Sequence, residues 1–366
     1  MSDELELIRQ TAAQFCAEHG GAEVLRARRA GQPGDDALFD ACVAQGFMGV
    51  ALAEEHGGMD LGWPALVALI KEGGKALIEL PVLSAHQLPI EALLGCPGGA
   101  MRSQRLAELS SGRRAAVAWQ SEARRPDVFA PSVQATQAAD GWRLSGRATM
   151  VLGGLGASGY VVSARCDDGQ MVCWVDRDAA GLEVQAQALI DHRNSARLVF
   201  DEVLVADAQL LARGGPAREA IKRMLDAGRL GLAAQMVGGA QASFEMTLEY
   251  LKTRQQFGVP IGSFQALQHR ISQVFIRLQM AEAALRIGVD QFALGGVERA
   301  RAAALAKAQC GEAYSLASRE GVQLHGGIGV TDEHDIGFHL KSAQVGSVLF
   351  GDAHSCRSTW AALAGY

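Results

Sequence analysis

The sequence predicts an α+β protein of three domains: a helical domain over residues 1–112, an antiparallel β domain over 113–212 and a four-helix bundle over 213–366. Helical periodicity runs through the first stretch, short alternating segments replace it near Ser111, and longer helical segments return from about Pro216. A chain of 366 residues also exceeds the roughly 250–300 residues at which a single core stops growing.

The N-terminal domain is predicted to be helical because its apolar residues recur at intervals of three and four. In DELELIRQTAAQFCAEH, one apolar face is formed by Leu5, Ile8, Ala12 and Phe15. The segments DALFDACVAQGF and WPALVALIKEGGKALI continue the period. Glycine pairs at 57–58 and 73–74 indicate turns or close approaches between helices.

The middle domain consists of short segments that are rich in β-branched residues and often alternate in polarity. Turn residues in ADG, CDDG and DAAG separate them, which is typical of an antiparallel barrel or sandwich. The predicted strands are AAVAWQ, SVQATQA, GWRLSGRATMVL, GYVVSAR, GQMVCWVD, LEVQAQA and ARLVFDEVLV.

The C-terminal domain returns to the helical period in longer segments. AREAIKRMLDAGRLGLAAQMVGGAQASFEMTLEYLKTR predicts one long helix, FQALQHRISQVFIRLQMAEAALRIGVDQFA a second, and GVERARAAALAKAQCGEAYSLASREGVQLH a third. A shorter helix is expected from Asp352, or just after it, to Leu363. Faces rich in alanine and glycine predict a bundle that packs closely, against other copies of the chain as well.

Composition excludes several classes of protein. The content of 49% hydrophobic and 20% charged residues is typical of a globular protein with a large core, and a net charge of −6 leaves no electrostatic footprint for nucleic acid. Seven cysteines without a CxxC run argue against a disulfide framework or zinc site and for a reducing cytoplasm. The acidic N-terminus is unlike a signal peptide, and no apolar run reaches the roughly 18 residues that a membrane span needs.

The loop TRQQFGVPIGSFQ, Thr253–Gln265, joins the first two long helices and combines a cation, an aromatic residue and two glycines. One interpretation is that Arg254 grips a phosphate while the turn at Phe257 lets the backbone come close. The alternative, which the residues alone favour, is an ordinary interhelical turn with a solvated arginine.

The stretch QLHGGIGVTDEHD, Gln323–Asp335, follows the third long helix. Its three glycines are suited to exposing backbone N–H groups to a pyrophosphate, although a helix C-cap explains one of them. It is not a Rossmann fingerprint, because no strand precedes it. Histidines crowd this region, at 325, 334, 339 and 354, but without the spacing of metal ligands, so no metal site is predicted.

The two motifs, in this order of domains, resemble the acyl-CoA dehydrogenase family over nearly the whole chain. RQQFGVPIGSFQ is similar to the family's Arg-x-x-Phe-Gly-x-x-x-x-x-Phe-Gln signature, and QLHGGIG is similar to its Gln-x-x-Gly-Gly-x-Gly signature. The resemblance implies a helical domain, a middle antiparallel β-barrel and a C-terminal four-helix bundle, assembled as a dimer or tetramer.

The resemblance also implies a cofactor and a reaction. The family binds FAD between subunits and removes two hydrogens across Cα–Cβ of an acyl-CoA thioester, and an electron-transferring flavoprotein is the expected electron acceptor. Arg254 is expected to contact the FAD pyrophosphate of a neighbouring subunit, with Phe257 packed near it. The same FAD is expected to be lined by Gln265, Gln323, Gly326 and Gly327.

The sequence departs from the family at the catalytic base, which must take the α-proton while flavin N5 accepts the hydride. The family's base is a glutamate in a Tyr-Glu-Gly-Thr run, onto which LFGDAHSCR falls. Phe350 then occupies the glutamate position and Asp352 the threonine position. Asp352 is therefore the candidate catalytic base. The alternative, which the residues alone favour, is that it caps the final helix.

Two further family features are altered. Some relatives carry the base just before an arginine of the first bundle helix; that arginine resembles Arg229, and Gly228 precedes it. Asp226 lies two residues before Gly228, which is about 200° around the helix from it. In the β domain, the loop SEARRPDVF keeps only Ser121 and Glu122 of the family's flavin and CoA loop, while Met150 and Leu152 replace the Trp-x-Thr pair.

QLHGGIGVTDEHD followed by LFGDA resembles one branch, the subunits of heteromeric acyl-CoA dehydrogenases of the pimeloyl-CoA and steroid side-chain type. Three hypotheses remain open. The chain is a working dehydrogenase of a homo-oligomer with Asp352 as a displaced base, a paired subunit that shapes an FAD site without its own base, or a related flavin oxidase.

Overall fold

The computed structural model describes residues 3–31, 35–122, 130–167 and 169–366. Eleven α-helices are found there: α1 Asp3–His19, α2 Ala22–Arg29, α3 Asp35–Ala44, α4 Gly62–Lys75, α5 Leu88–Gly95, α6 Ala100–Ser110, α7 Gly215–Thr253, α8 Gln265–Phe292, α9 Gly296–His325, α10 Ile336–Val348 and α11 Ala353–Leu363. A π-helical turn, Leu83–Gln87, precedes α5.

The strands of the described residues are β1 Ala115–Ala118, β2 Gln134–Ala138, β3 Gly141–Leu152, β4 Gly159–Cys166, β5 Gly169–Asp176, β6 Leu182–Ala186, β7 Ser195–Val205, β8 Leu210–Arg213, β9 Gln255–Gln256 and β10 Val259–Pro260. The first eight belong to one sheet, and β9 and β10 form a small antiparallel hairpin between α7 and α8.

By its contacts the chain divides into two compact units. The helical unit comprises the described residues of Met1–Gln32, Trp63–Glu79 and Arg229–Tyr366. The sheet unit comprises those of Pro33–Gly62 and Leu80–Gly228. The boundaries of the three predicted domains stay a prediction.

Within the helical unit, α4 and α7 come into backbone contact at glycines. A Cβ added to Gly74 would lie 2.0 Å from the carbonyl oxygen of Gln235, and one added to Gly238 would lie 2.0 Å from that of Lys71. The close approach that the glycine pair at 73–74 indicated is therefore present. Helix α9 packs along α8, α10 and α11 and buries alanines together with Tyr314, so small side chains set the spacing of the bundle.

Within the sheet unit, the strands run in the order β6-β7-β3-β2-β4-β5-β8, with β1 on β4. Most neighbours are antiparallel, but β1 and β2 pair with β4 in parallel. The path ends at β6 and β8, so the sheet is open and mixed among the described residues, and the predicted closed antiparallel barrel is not confirmed. The core is formed by apolar side chains including Leu144, Tyr160, Val162 and Leu198, each 0% exposed.

The helices and strands follow the predicted order closely. All seven predicted strands and the helices α7, α8, α9 and α11 are present. The elements not predicted individually are strands β8, β9 and β10 and helices α2, α5, α6 and α10. Among the described residues, no helix is both long enough and apolar enough to span a membrane.

Candidate functional site

A cavity of about 610 Å³ in the helical unit collects most of the motif residues. It lies at the end of α7, beside the β9–β10 hairpin, against the first turns of α8 and at the end of α9. Its lining consists of Tyr250, Arg254, Gln256, Ile261, Leu267, Arg270, Gln323, Leu324, His325, Gly326, Gly327 and Ile328. The structure thus brings together four residues predicted from two separate motifs: Arg254, Gln323, Gly326 and Gly327.

At Gly326 and Gly327, no side chain covers the backbone that lines this cavity. Helix α9 ends at His325, and Gly326 follows with a φ of 65°, a conformation that favours glycine. A Cβ added to Gly326 or to Gly327 would meet no atom within 4 Å. A ligand can therefore approach the backbone here more closely than side chains would allow.

Two guanidinium groups supply positive charge. Arg254 is exposed, and no carboxylate pairs with it among the described residues. Arg270, which sequence reasoning missed, donates from Nε to Glu320 Oε2 at 2.6 Å, and this hydrogen bond raises the pKa of Arg270. One carboxylate thus orients Arg270 but leaves the cavity with an excess of positive charge, which suits a phosphate-bearing ligand.

His325 adds a buried acceptor atom and was also missed as a candidate. Its ring is 2% exposed, and its Nδ1 lies 2.7 Å from the carbonyl oxygen of Gly321. Because a carbonyl can only accept, Nδ1 carries the proton and Nε2 is left with a lone pair. Nε2 is buried and has no hydrogen-bond partner in the described parts of the chain, and burial lowers the pKa of His325, which favours the neutral ring.

Tilted ring contacts explain part of the histidine crowding. The His325 ring lies 4.5 Å from the ring of Tyr250 and 4.2 Å from that of His334, centroid to centroid. His339 is buried elsewhere in the unit, where its Nδ1 lies 3.0 Å from Tyr314 Oη. The described residues contain no cluster of His, Cys, Asp or Glu side chains suited to a metal ion.

Two of the predicted cofactor residues lie outside the cavity lining. Phe257, at the tip of the β9–β10 hairpin, is 92% exposed and meets Phe264 edge-on, with ring centroids 6.0 Å apart. Gln265 begins α8 and is exposed. Both face outward from the helical unit, as the expected contact with a neighbouring subunit requires, but that contact stays a prediction.

The segment that carries Asp352 is a tight turn between α10 and α11, called here the 349–352 turn. Phe350 is buried and has a φ of 57°, and Gly351 follows with a φ of 102°. Arg229 donates from Nε to the Phe350 carbonyl oxygen at 3.1 Å. Lys307 donates from Nζ to the Gly351 carbonyl oxygen at 3.0 Å.

Asp352 caps helix α11, as one of the two interpretations predicted. Its Oδ1 accepts from the backbone N–H of Ser355 at 2.7 Å. This hydrogen bond lowers the pKa of Asp352, against a smaller opposing effect of burial. The carboxylate is therefore ionised and a weak proton acceptor, because a strong base needs a raised pKa. Its role as catalytic base stays a prediction.

No carboxylate occupies the family's alternative base position. Gly228 is buried on α7 and has no side chain to take a proton, and Asp226 is 4% exposed on the same helix.

In the sheet unit, two of the positions expected beside the flavin bind residues of the same unit. The backbone N–H of Met150, which has a φ of 51°, donates to Gln187 Oε1 at 2.7 Å. Glu122 pairs with Arg197 at 2.9 Å. Ser121 Oγ is buried and finds no hydrogen-bond partner among the described residues. The rest of the predicted flavin and CoA loop, residues 123–129, lies outside the described residues.

Comparison with known proteins decides the family. Sequence models of the acyl-CoA dehydrogenase N-terminal and C-terminal domains match residues 2–113 and 218–362. The acyl-CoA dehydrogenase IpdE2 of Mycobacterium tuberculosis is 30% identical over 344 residues, which cover 93% of this chain and 91% of the relative. The chain belongs to the acyl-CoA dehydrogenase family.

Solved structures of acyl-CoA dehydrogenases share the fold. A variant of the Tcur3481-Tcur3483 steroid ACAD superposes with a TM-score of 0.87 at 31% identity, over 99% of this chain and 98% of that one. The ChsE4-ChsE5 complex from Mycobacterium tuberculosis superposes with a TM-score of 0.89 at 24% identity, over 100% and 98%. Butyryl-CoA dehydrogenase from Megasphaera elsdenii gives a TM-score of 0.92 at 20% identity, over 100% and 99%.

Acyl-CoA dehydrogenases are flavoprotein oxidoreductases, so the family implies FAD as the usual cofactor. The residues that line the cavity of the helical unit suit the phosphate-bearing half of such a dinucleotide. It combines cationic side chains, an open glycine wall and a buried acceptor at His325 Nε2.

Proposed function

We propose that this acyl-CoA dehydrogenase is FAD-dependent and catalyses the α,β-dehydrogenation of an acyl-CoA thioester. The observation that carries the proposal is the cavity in which Arg254, Gln323, Gly326 and Gly327 meet. Two motifs separated by about 60 residues of sequence meet at one site that suits a phosphate. An ordinary interhelical turn at the first motif and a helix C-cap at the second do not explain this convergence.

Within this proposal, each part of the cavity has a binding role. Arg254 and Arg270 hold the pyrophosphate by charge-assisted hydrogen bonds, with Glu320 fixing the orientation of Arg270. Gly326 and Gly327 let the backbone close on the phosphates, and His325 Nε2 accepts from a hydroxyl or amino group. FAD, when bound, supplies the hydride acceptor, at N5 of its flavin ring.

Asp352 is the proposed proton acceptor. It is ionised, and it stands two residues after the family's glutamate position, which holds the buried Phe350. When Asp352 takes up a proton, the hydrogen bond from Ser355 N–H to its Oδ1 weakens, since a protonated carboxyl is a poorer helix cap than a carboxylate. An electron-transferring flavoprotein is the proposed electron acceptor.

The second candidate function is a paired subunit that shapes an FAD site and leaves proton abstraction to another chain. It is favoured by the lowered pKa of Asp352 and by the loss of a carboxylate at positions 228 and 350. Two of the structural relatives bear paired names, Tcur3481-Tcur3483 and the ChsE4-ChsE5 complex. The first of these is described as a steroid ACAD, which supports a bulky steroid-type acyl-CoA as substrate.

The test begins with the visible spectrum of the purified protein and its bleaching by acyl-CoA in the absence of oxygen. The probes are butyryl-CoA, glutaryl-CoA and the CoA thioester of a steroid side-chain carboxylate. A yellow protein that one of them bleaches supports the first candidate. A yellow or colourless protein that none of them bleaches overturns it and favours the paired subunit. Rapid oxygen uptake without another acceptor would instead indicate a flavin oxidase.

Arg254→Met tests the binding site separately from turnover. Loss of a charge-assisted hydrogen bond of about 1.5–3 kcal/mol is expected to weaken FAD binding by about 10- to 100-fold in fluorescence titration of the flavin-depleted protein. Lys252→Met is the matched control, because Lys252 is an exposed cation two residues away that does not line the cavity. Equal FAD affinity in both variants would remove Arg254 from the site.

A further inference from the structure

The 349–352 turn is held by two cations that the proposed reaction does not otherwise use. Arg229, on α7, donates to the carbonyl oxygen of Phe350, and Lys307, on α9, donates to that of Gly351. Lys307 Nζ also lies 3.5 Å from the carbonyl oxygen of Ser347, in the last turn of α10. Lys307 thus links the end of α10 to the turn that begins α11.

The burial of the Lys307 side chain is energetically unfavourable. It is 1% exposed, and lysine is almost never fully buried unless it is paired. The groups that face it are Cys356, Arg229, Cys310 and Asp352, of which Arg229 repels it. Burial lowers the pKa of Lys307 to about 8, so packing works against its charge. An apolar side chain of similar length would fill this space without that penalty.

The backbone of the 349–352 turn, to which Lys307 donates, is strained. Phe350 and Gly351 both have positive φ, and such a conformation is strained for phenylalanine. It persists only where the surroundings over-determine it, and strain of this kind clusters at functional sites. Here the restraints include Arg229, Lys307 and the Cys356 thiol, whose Sγ lies 3.7 Å from the Gly351 carbonyl oxygen.

We infer that Lys307 is a positioning residue for the dehydrogenation: by holding the Gly351 carbonyl, it fixes the 349–352 turn and with it the place of the Asp352 carboxylate. This inference rests on the proposed function. Lys307 takes no proton from the substrate in this role. It acts through the backbone of the residue that separates the buried Phe350 from Asp352.

The experiment compares flavin reduction in the FAD-loaded full-length wild type with Lys307→Met, using whichever of the three acyl-CoA probes bleaches the wild type. Methionine keeps the length of the side chain but removes its donors. We expect reduction at pH 7 to slow by about 10- to 100-fold, the effect of a misplaced reacting group, with little change in the acyl-CoA concentration at half-maximal rate. Backbone hydrogen exchange in the segment 349–356 should rise at the same time.

The pH profile separates positioning from a general packing defect. In the wild type, reduction should fall as pH rises through about 8, because the neutral amine makes a weaker hydrogen bond than the ammonium. Lys307→Met should lack that step, and Lys307→Gln, which keeps an N–H donor, should recover part of the rate. Lys307→Gln also replaces the methionine variant if that variant does not fold. Lys252→Met is the surface control.

The outcomes distinguish this inference from the proposed function. A wild type that no probe bleaches overturns the proposed function and the inference that rests on it. A wild type that is bleached, together with Lys307→Met or Lys307→Gln at the wild-type rate and with the wild-type pH profile, overturns the inference alone.

Discussion

At the scale of single residues, Lys307 carries a cost of burial that can be measured. The pKa of Lys307 falls from 10.5 in the unfolded chain to about 8 in the folded protein. Between these pH values the unfolded chain holds a proton that the folded protein has lost. The contribution of Lys307 to the free energy of unfolding therefore rises with pH through this window, by linkage, and that contribution is least favourable below pH 8.

The corresponding prediction concerns the difference between wild type and Lys307→Met. From pH 7.5 to 10, we expect the wild type to gain about 2 kcal/mol of unfolding free energy relative to the variant. Urea unfolding at several pH values measures this, and the comparison cancels the titration of the buried cysteines, whose pKa values burial raises. A constant difference across the range would show that Lys307 titrates normally.

Some residues of the candidate cofactor site could be predicted from the sequence, and others could not. Arg254, Gln323, Gly326 and Gly327 were expected at one cofactor site because their two motifs resemble the family's signatures, whereas the residue types alone favoured an ordinary turn at Arg254. Arg270 and His325 were missed as cofactor-site residues. Arg270 lies inside a regular helix among other polar residues, and only packing against α9 brings Glu320 to it. His325 had been considered only as a metal ligand.

At the scale of elements, Asp352 joins two roles that substitutions can separate. Asparagine caps helices about as well as aspartate, whereas alanine costs about 1 kcal/mol at such a position. We expect Asp352→Asn to keep the stability of the wild type and Asp352→Ala to lose about 1 kcal/mol, measured by urea unfolding at pH 7. If Asp352 is the base, both variants should lose flavin reduction by acyl-CoA.

The Asp352→Asn variant decides between the two roles. Full stability with lost flavin reduction would assign proton transfer to Asp352. Full stability with the wild-type rate would leave Asp352 as a helix cap alone and would favour the paired-subunit candidate.

Helices were predictable where apolar residues recur with one helical period over a long segment. Helices α7, α8 and α9 show this, since each repeats its apolar residues over many turns. Helix α10 was missed because glycines at 337 and 346 interrupt it and its apolar residues are not confined to one face. The parallel pairing of β1 with β4 was not predictable from alternation, because alternation fixes which face a residue occupies but not the direction of the neighbouring strand.

At the scale of the whole molecule, helix α8 carries an apolar stripe that its own unit leaves exposed. Ile276, Met280 and Ile287 are 53%, 48% and 48% exposed, and their spacing places them on one side of the helix. Exposed apolar stripes of this kind mark protein interfaces. The exposed Phe257 and Gln265 lie before and at the start of the same helix, as a site shared between subunits requires.

We therefore expect the double variant Ile276→Glu and Met280→Glu to reduce the assembly to roughly half its wild-type mass or less, measured by light scattering after size-exclusion chromatography. Burying two carboxylates in an apolar interface has a large desolvation cost, whereas on a free surface they cost little. Leu7→Glu is the control, since Leu7 is 64% exposed on α1, far from this stripe in sequence.

Because Arg254 is expected to hold the FAD of a neighbouring subunit, the dissociated variant should also lose its flavin, although none of the cavity residues has been changed. A dissociated variant that kept its FAD would place the whole cofactor site within one subunit, and an assembly of unchanged mass would exclude the stripe as the interface.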